Sequence, residues 1–188
     1  MAEPFVQIKV DEKSLKEAER ILRAVPRAFP RVLSRAINRT IDMAATDLKR
    51  RTAEQINLPK GEIAKGIGKR KASYSSLGGA IDAVPYRPAL TKFKGTRQLK
   101  RGVKYRIGAE GFKMILHGFI ATMESGHRGV FKRLDIRRLP IKELRGPSIW
   151  KVISNTPGLL NEANRKAAEN LSKQVNNYIG LELSKWNN

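Results

Sequence analysis

A chain of 188 residues fits one domain on the usual prior of about 150 residues per domain, and it is long enough to bury a core without covalent staples. Lys and Arg number 38 against 17 Asp and Glu, and the formal charge of +21 calls for a polyanion, a charged membrane surface or an acidic protein as partner. Cysteine is absent, which excludes disulfides, cysteine-ligated zinc, iron–sulfur clusters and thiol catalysis, while 40% hydrophobic residues suit a folded, soluble chain.

The start, Met1-Ala2-Glu3-Pro4, has no cationic lead into an apolar run, so no secretory signal is expected and synthesis is placed in a cytoplasm. Phe5 to Val10 sets Val6, Ile8 and Val10 at period two, the pattern of a half-buried strand. Ser14-Leu15-Lys16-Glu17 is a capping box, and its helix is expected to run to Val25, before Pro26. A second helix is predicted from Pro30 to Glu54, with Leu33, Ile37, Ile41, Ala44 and Leu48 as its buried stripe.

Lys60 to Lys71 is basic and punctuated by glycine. Ala80 to Val84 reads as a short strand closed by Pro85, and Tyr86 to Gly102 as a long, polar, cation-rich excursion. Val103 to Ile107 alternates as a strand, Phe112 to Ala121 reads as one longer and more buried strand, and Val130 to Lys132 adds another. The stretch Met114 to Met123 is too short and too interrupted to span a membrane, which takes about 20 residues. Asn155-Thr156-Pro157 is expected to cap a long final helix with Leu160, Ala163, Ala167, Leu171, Val175 and Tyr178 as its stripe. The order gives an α+β fold: an N-terminal strand and two helices, an antiparallel sheet, and a long C-terminal helix, in a single domain over 1–188.

Charge gathers in the middle. Between Ile63 and Ala109 the only carboxylate is Asp82, among many lysines and arginines. Lys69, Arg70 and Lys71, and then Arg97, Lys100 and Arg101, are candidates for contact with a polyanion or a neighbouring subunit, as are Arg128, Lys132 and Arg133 further on. Few aromatics sit among them, which speaks against a base-stacking reader of single strands. Duplex backbone, an acidic protein surface and an intersubunit arm stay open. Arg27, Arg31, Arg35 and Arg39 recur every four residues and form a cationic ridge on the second helix, which fits either a solvated face or a contact.

Signs of catalysis are missing. Gly61 and Gly66 have P-loop spacing, but Ile67 and Gly68 stand where lysine and a hydroxyl residue are required. The histidines, His117 and His127, lack an accompanying carboxylate cluster, and the acidic pairs of metal-dependent nucleases are absent, so structural roles are expected for both. No catalytic residue, cofactor or metal is assigned.

Two later segments are distinctive. Glu124-Ser125-Gly126-His127-Arg128-Gly129-Val130-Phe131-Lys132-Arg133 is a glycine-hinged cationic loop entering a strand. Leu139-Pro140-Ile141-Lys142-Glu143-Leu144-Arg145-Gly146-Pro147-Ser148 is an extended run and a turn, with Ser148 placed to cap a short helix over 149–153. These two strings resemble the prophage minor tail protein Z family, the tail-completion proteins of long-tailed phages. The resemblance is weakest from Lys60 to Gly102. It implies a non-enzymatic α+β virion subunit of the tail or neck. That subunit would assemble in a ring with copies of itself, contact other tail and neck proteins, and reach the DNA end, with no membrane partner. Ser125, Gly126, His127, Gly129 and Phe131, with Leu139, Pro140, Ile141, Gly146, Pro147 and Ser148, are then assembly or structural determinants. The competing expectations are a sequence-independent DNA-binding module that contacts phosphates only and a phosphodiesterase.

Overall fold

The computed structural model describes residues 4–9, 20 and 28–185. The helix expected over Ser14 to Val25 lies outside these residues apart from Arg20, which is helical, and so do Val10 and Arg27. The chain divides into two compact units, one formed by the residues up to Leu48, Ile67–Ala83 and the residues from Pro157, the other by Lys49–Gly66 and Val84–Thr156.

In the first unit, strands β1 (Pro4–Lys9), β2 (Ile67–Arg70) and β3 (Gly78–Ala83) form an antiparallel sheet in the order β1-β3-β2. Register places Val6 opposite Ile81, and both are buried. Helix α1 (Ala28–Gln55) lies against this sheet, so closely that a Cβ at Gly79 would sit 2.4 Å from Ile41 Cδ1. Its predicted stripe of Leu33, Ile37, Ile41, Ala44 and Leu48 is buried in full, and Val32, Ala36 and Ala45 widen it into a face. Pro30 falls in the first turn, where its missing N–H leaves no bond unmade. Asn38 fastens the end of β2 to this helix: its side chain donates to the Ala72 carbonyl at 3.0 Å and accepts from the Ala72 N–H at 2.8 Å.

The last helix of this unit spans Leu159–Ser184 and packs on β1. Its N-cap is Gly158, with φ of 72°. The cap expected at Asn155 to Pro157 is therefore corrected. Asn155 ends the preceding helix, because the bonds of Thr156 close that helix, its N–H donating to the Ile153 carbonyl and its hydroxyl to that of Val152. The stripe starts one residue earlier than the sequence suggests, at Leu159, and ends at Ile179 and Glu182, while Leu160 and Tyr178 are only half-buried.

The second unit carries helix α2 (Lys60–Ala64), a 3-10 turn at Leu90–Lys92, six strands and helix α3 (Ile149–Asn155); the 159–184 helix is α4. Strands β4 (Arg97–Leu99), β5 (Gly102–Tyr105) and β6 (Lys113–Leu116) form one antiparallel sheet, and β7 (Gly118–Thr122), β8 (Arg128–Arg133) and β9 (Ile141–Leu144) another. Among the described residues, the expectation of one antiparallel sheet is thus overturned by three separate sheets of three strands. The single long strand expected over Phe112 to Ala121 is overturned as well. His117 adopts φ of 58° and divides the segment, so β6 and β7 belong to different sheets. Met114 and Leu116 stand half exposed on the outer strand, where a buried strand was expected.

Candidate functional site

The two distinctive segments meet because β8 and β9 pair, placing Val130 opposite Leu144 and Phe131 opposite Glu143. The turn from β7 into β8 closes with the Gly126 N–H donating to the Met123 carbonyl and the Met123 N–H to the His127 carbonyl, at 2.9 and 2.8 Å. Gly126 has φ of 79°, a left-handed conformation that favours glycine. His127 Nε2 then lies 2.8 Å from Glu143 Oε1, and Arg145 holds the other carboxylate oxygen through Nε at 2.8 Å and a second nitrogen at 2.7 Å. Gly129 gives these groups room, since a Cβ there would approach the Phe131 ring to 3.0 Å and Glu143 Oε1 to 3.1 Å.

Burial pushes the Glu143 carboxyl up, but the hydrogen bonds from His127 and Arg145 outweigh it and leave the group below its ordinary value of 4.5. Glu143 is the hub of the cluster. Sequence reasoning misses it, because its only signal there is a lone acid in a basic string. His127 is bound to this hub through Nε2. His117 marks the corner between two sheets, its N–H donating to the Arg101 carbonyl.

The second segment is also tied to the basic stretch that precedes it. Ala89 and Arg145 form an isolated antiparallel bridge, the Gly146 N–H donates to the Pro88 carbonyl at 2.8 Å, and the Ile149 N–H reaches the Tyr86 carbonyl. Gly146 lies flat on Phe93, as a Cβ would fall 2.6 Å from two ring atoms. Ser148 caps α3 by accepting from the Lys151 N–H, as its position in the sequence predicts. Leu139-Pro140 is a cis peptide, and the Pro140 carbonyl accepts from the Leu134 N–H. Residues 86–102 bury Ala89, Leu90 and Phe93 while presenting their cations outward. Tyr86 bonds to Glu62, and Lys65 also holds that carboxylate, so the Glu62 carboxyl lies below its usual value through the Lys65 bond first and the Tyr86 bond second.

The basic residues fall into two groups with different surroundings. In the first unit Lys69 and Lys71 share Asp42, at 2.7 and 3.3 Å, and Arg70 makes a two-pronged pair with Asp82. The hydrogen bond from Lys69 lowers the Asp42 carboxyl and outweighs the upward push of its burial. Arg31 of the cationic ridge pairs with Glu182, while Arg35 and Arg39 are exposed.

The second unit holds 22 of the 38 Lys and Arg but only 6 of the 17 Asp and Glu. There Arg97, Lys100, Arg101, Arg128 and Lys132 are exposed and make no ion pair among the described residues. Arg133 lies over the Phe119 ring at 5.9 Å. Arg97 faces Lys104 across β4 and β5, and Lys132 faces Lys142 across β8 and β9. Like charges directly opposite destabilise a strand pair.

Among the described residues no three His, Asp or Glu side chains form a group that could hold a metal ion, and no helix is long and apolar enough to cross a membrane. The model of the family described as prophage minor tail protein Z matches residues 69–186. The chain belongs to the prophage minor tail protein Z family. Both segments and most of the second unit lie inside the match, which also takes in α4. The family is one of structural proteins of phage tails, and the minor tail protein Z match carries no catalytic assignment. No curated protein and no solved structure gives a significant match.

Proposed function

We propose that this minor tail protein completes the phage tail and supports the joining of tail to head, with the whole chain acting as one tail-completion module in the virion. The observation that carries this reading is how the two family segments are used. They pair as β8 and β9 and are tied together through Glu143, they carry unpaired cations, and the 134–139 turn that joins them exposes the apolar side chains of Leu134, Ile136 and Leu139. A surface of this kind suits contact with other proteins rather than chemistry, because exposed apolar groups beside cations gain by being covered. Copies of the chain are taken to close into a ring, which needs two different faces of each subunit to meet, and other tail and neck proteins are the further partners. The reading is structural and needs no catalytic residue.

The test is deletion of the gene from its phage or prophage, with electron microscopy of the induced lysate and complementation in trans. Tails of normal length that fail to join filled heads, or joined particles that cannot deliver DNA, are the expected result. Fully infectious particles without the protein would overturn it.

A further inference from the structure

Two adjoining hollows of about 440 and 420 Å³ in the second unit share Thr96, Ile120 and Arg128, and together they make a groove between the 90–98 segment and the β7–β8 hairpin. Lys92, Arg97 and Arg128 line it, all exposed and none in an ion pair among the described residues. Among the described residues no carboxylate lines it. Glu143, bound to the lining residue His127, is also held by Arg145.

The walls are fixed before anything binds. The Thr91 hydroxyl donates to the Arg128 carbonyl at 3.0 Å, and the Thr96 hydroxyl to the Leu90 carbonyl at 2.8 Å. Gln98 joins β4 to β7, accepting from the Ile120 N–H at 2.8 Å while its amide nitrogen donates to backbone carbonyls, that of Gly102 among them. The Arg97 and Lys104 pair adds a repulsion that a bound anion would relieve.

We infer that this groove binds the phosphate backbone of double-helical DNA. Three features favour phosphates over an acidic protein segment. The lining has no Phe, Tyr or Trp and only two apolar side chains, Ile120 and Ala121, whereas the cores of protein interfaces are depleted in charge and enriched in those aromatics. Arginine, lysine and a free hydroxyl, here Thr122, are the groups that contact phosphates without reading bases. The excess of positive charge in this unit is of the kind that drives counterion release from a duplex. The absence of a stacking platform argues against single strands. The inference does not depend on tail completion, because binding is measured on the isolated chain.

The experiment is fluorescence anisotropy of a labelled 20-base-pair DNA duplex of arbitrary sequence, titrated with the full chain between about 50 and 200 mM salt. The triple variant Lys92→Ala/Arg97→Ala/Arg128→Ala is expected to lose at least about tenfold in affinity. Its salt slope should fall by about 3, near 0.9 for each phosphate no longer neutralised. Arg137→Ala/Arg138→Ala/Lys151→Ala removes the same charge from exposed positions outside the groove and is expected to change affinity less than about threefold by that same counting. Thr122→Glu places a carboxylate in the groove while keeping all three cations, and should weaken binding even if the triple variant folds poorly. Equal losses in the two triple variants would overturn the groove, since charge alone would then explain binding. So would no duplex binding at the lowest salt, or displacement of the duplex by polyglutamate at equal charge concentration, which would give the groove to an acidic protein.

Discussion

Replacing Gly146 with alanine tests whether the second family segment is fixed by the packing described above. The backbone there is not left-handed, so the added methyl costs space rather than conformational strain. That methyl would lie 2.6 Å from Cε2 and Cζ of Phe93, a ring only 2% exposed, and the Gly146 N–H is held by Pro88 at 2.8 Å. Neither partner can step aside cheaply. Overpacking of this kind costs about 2–3 kcal/mol, which for a chain of this size lowers Tm by roughly 4–12 °C. Phe93→Leu alone should cost about 1–2 kcal/mol through the cavity it leaves. In the double variant the smaller side chain makes room for the methyl, so the combined loss should fall short of the sum by at least about 1 kcal/mol. Thermal unfolding followed by circular dichroism, with urea midpoints as a second measure, gives all four corners of the cycle. A neutral Gly146→Ala, or strictly additive losses, would refute the packing argument.

Three further outcomes follow from other contacts. Lys142→Glu turns the like-charge pair with Lys132 into an attractive one and should raise stability by about 0.2–1 kcal/mol, seen as a higher Tm at low salt that fades at high salt; a lower Tm would contradict the register. Asn38→Ala removes both bonds to the Ala72 backbone and should cost about 1–3 kcal/mol, with faster proteolysis across Ser73 to Ser76 as the local sign; an unchanged urea midpoint would count against that clamp. The carboxyl of Glu143 is lowered in the folded state, so the unfolded chain binds its proton first as pH falls. Its contribution is complete above the unfolded value near 4.5 and is lost as pH drops through the folded value, so Glu143→Gln should flatten this part of the acid limb and leave the rest of the curve parallel to wild type.

The helices were more legible in the sequence than the sheets. The stripe from Leu33 to Leu48 repeats over four turns, and Ser148 sits where a cap must, so local rules suffice for both. The segment from Phe112 to Ala121 misleads because its apolar run looks continuous, while the break depends on one backbone conformation at His117 that no periodicity reports. The start of α4 misleads for a related reason: Asn155 and Pro157 both look like cap residues, yet Thr156 is spent on closing α3. The cationic candidates were visible as a set. Their division into paired and unpaired groups was not, because Asp42 lies 27 residues from Lys69 and the groove joins the nineties to residues 120–128. Glu143 was hidden for the same reason, since its role exists only once β8 and β9 align.

The order in which the chain visits its two units has a consequence for how it is made. All of the second unit has been synthesised once Thr156 is added, so that unit can close while the ribosome is still adding the rest. The first unit closes later, because α4, the helix that packs on β1, follows Thr156 in the chain. Until then β1 lacks the helix that packs on it, and the contacts that supply it are distant in sequence. Newly made subunits can therefore pass through a stage in which the unit holding most of the positive charge is finished and the other is still open.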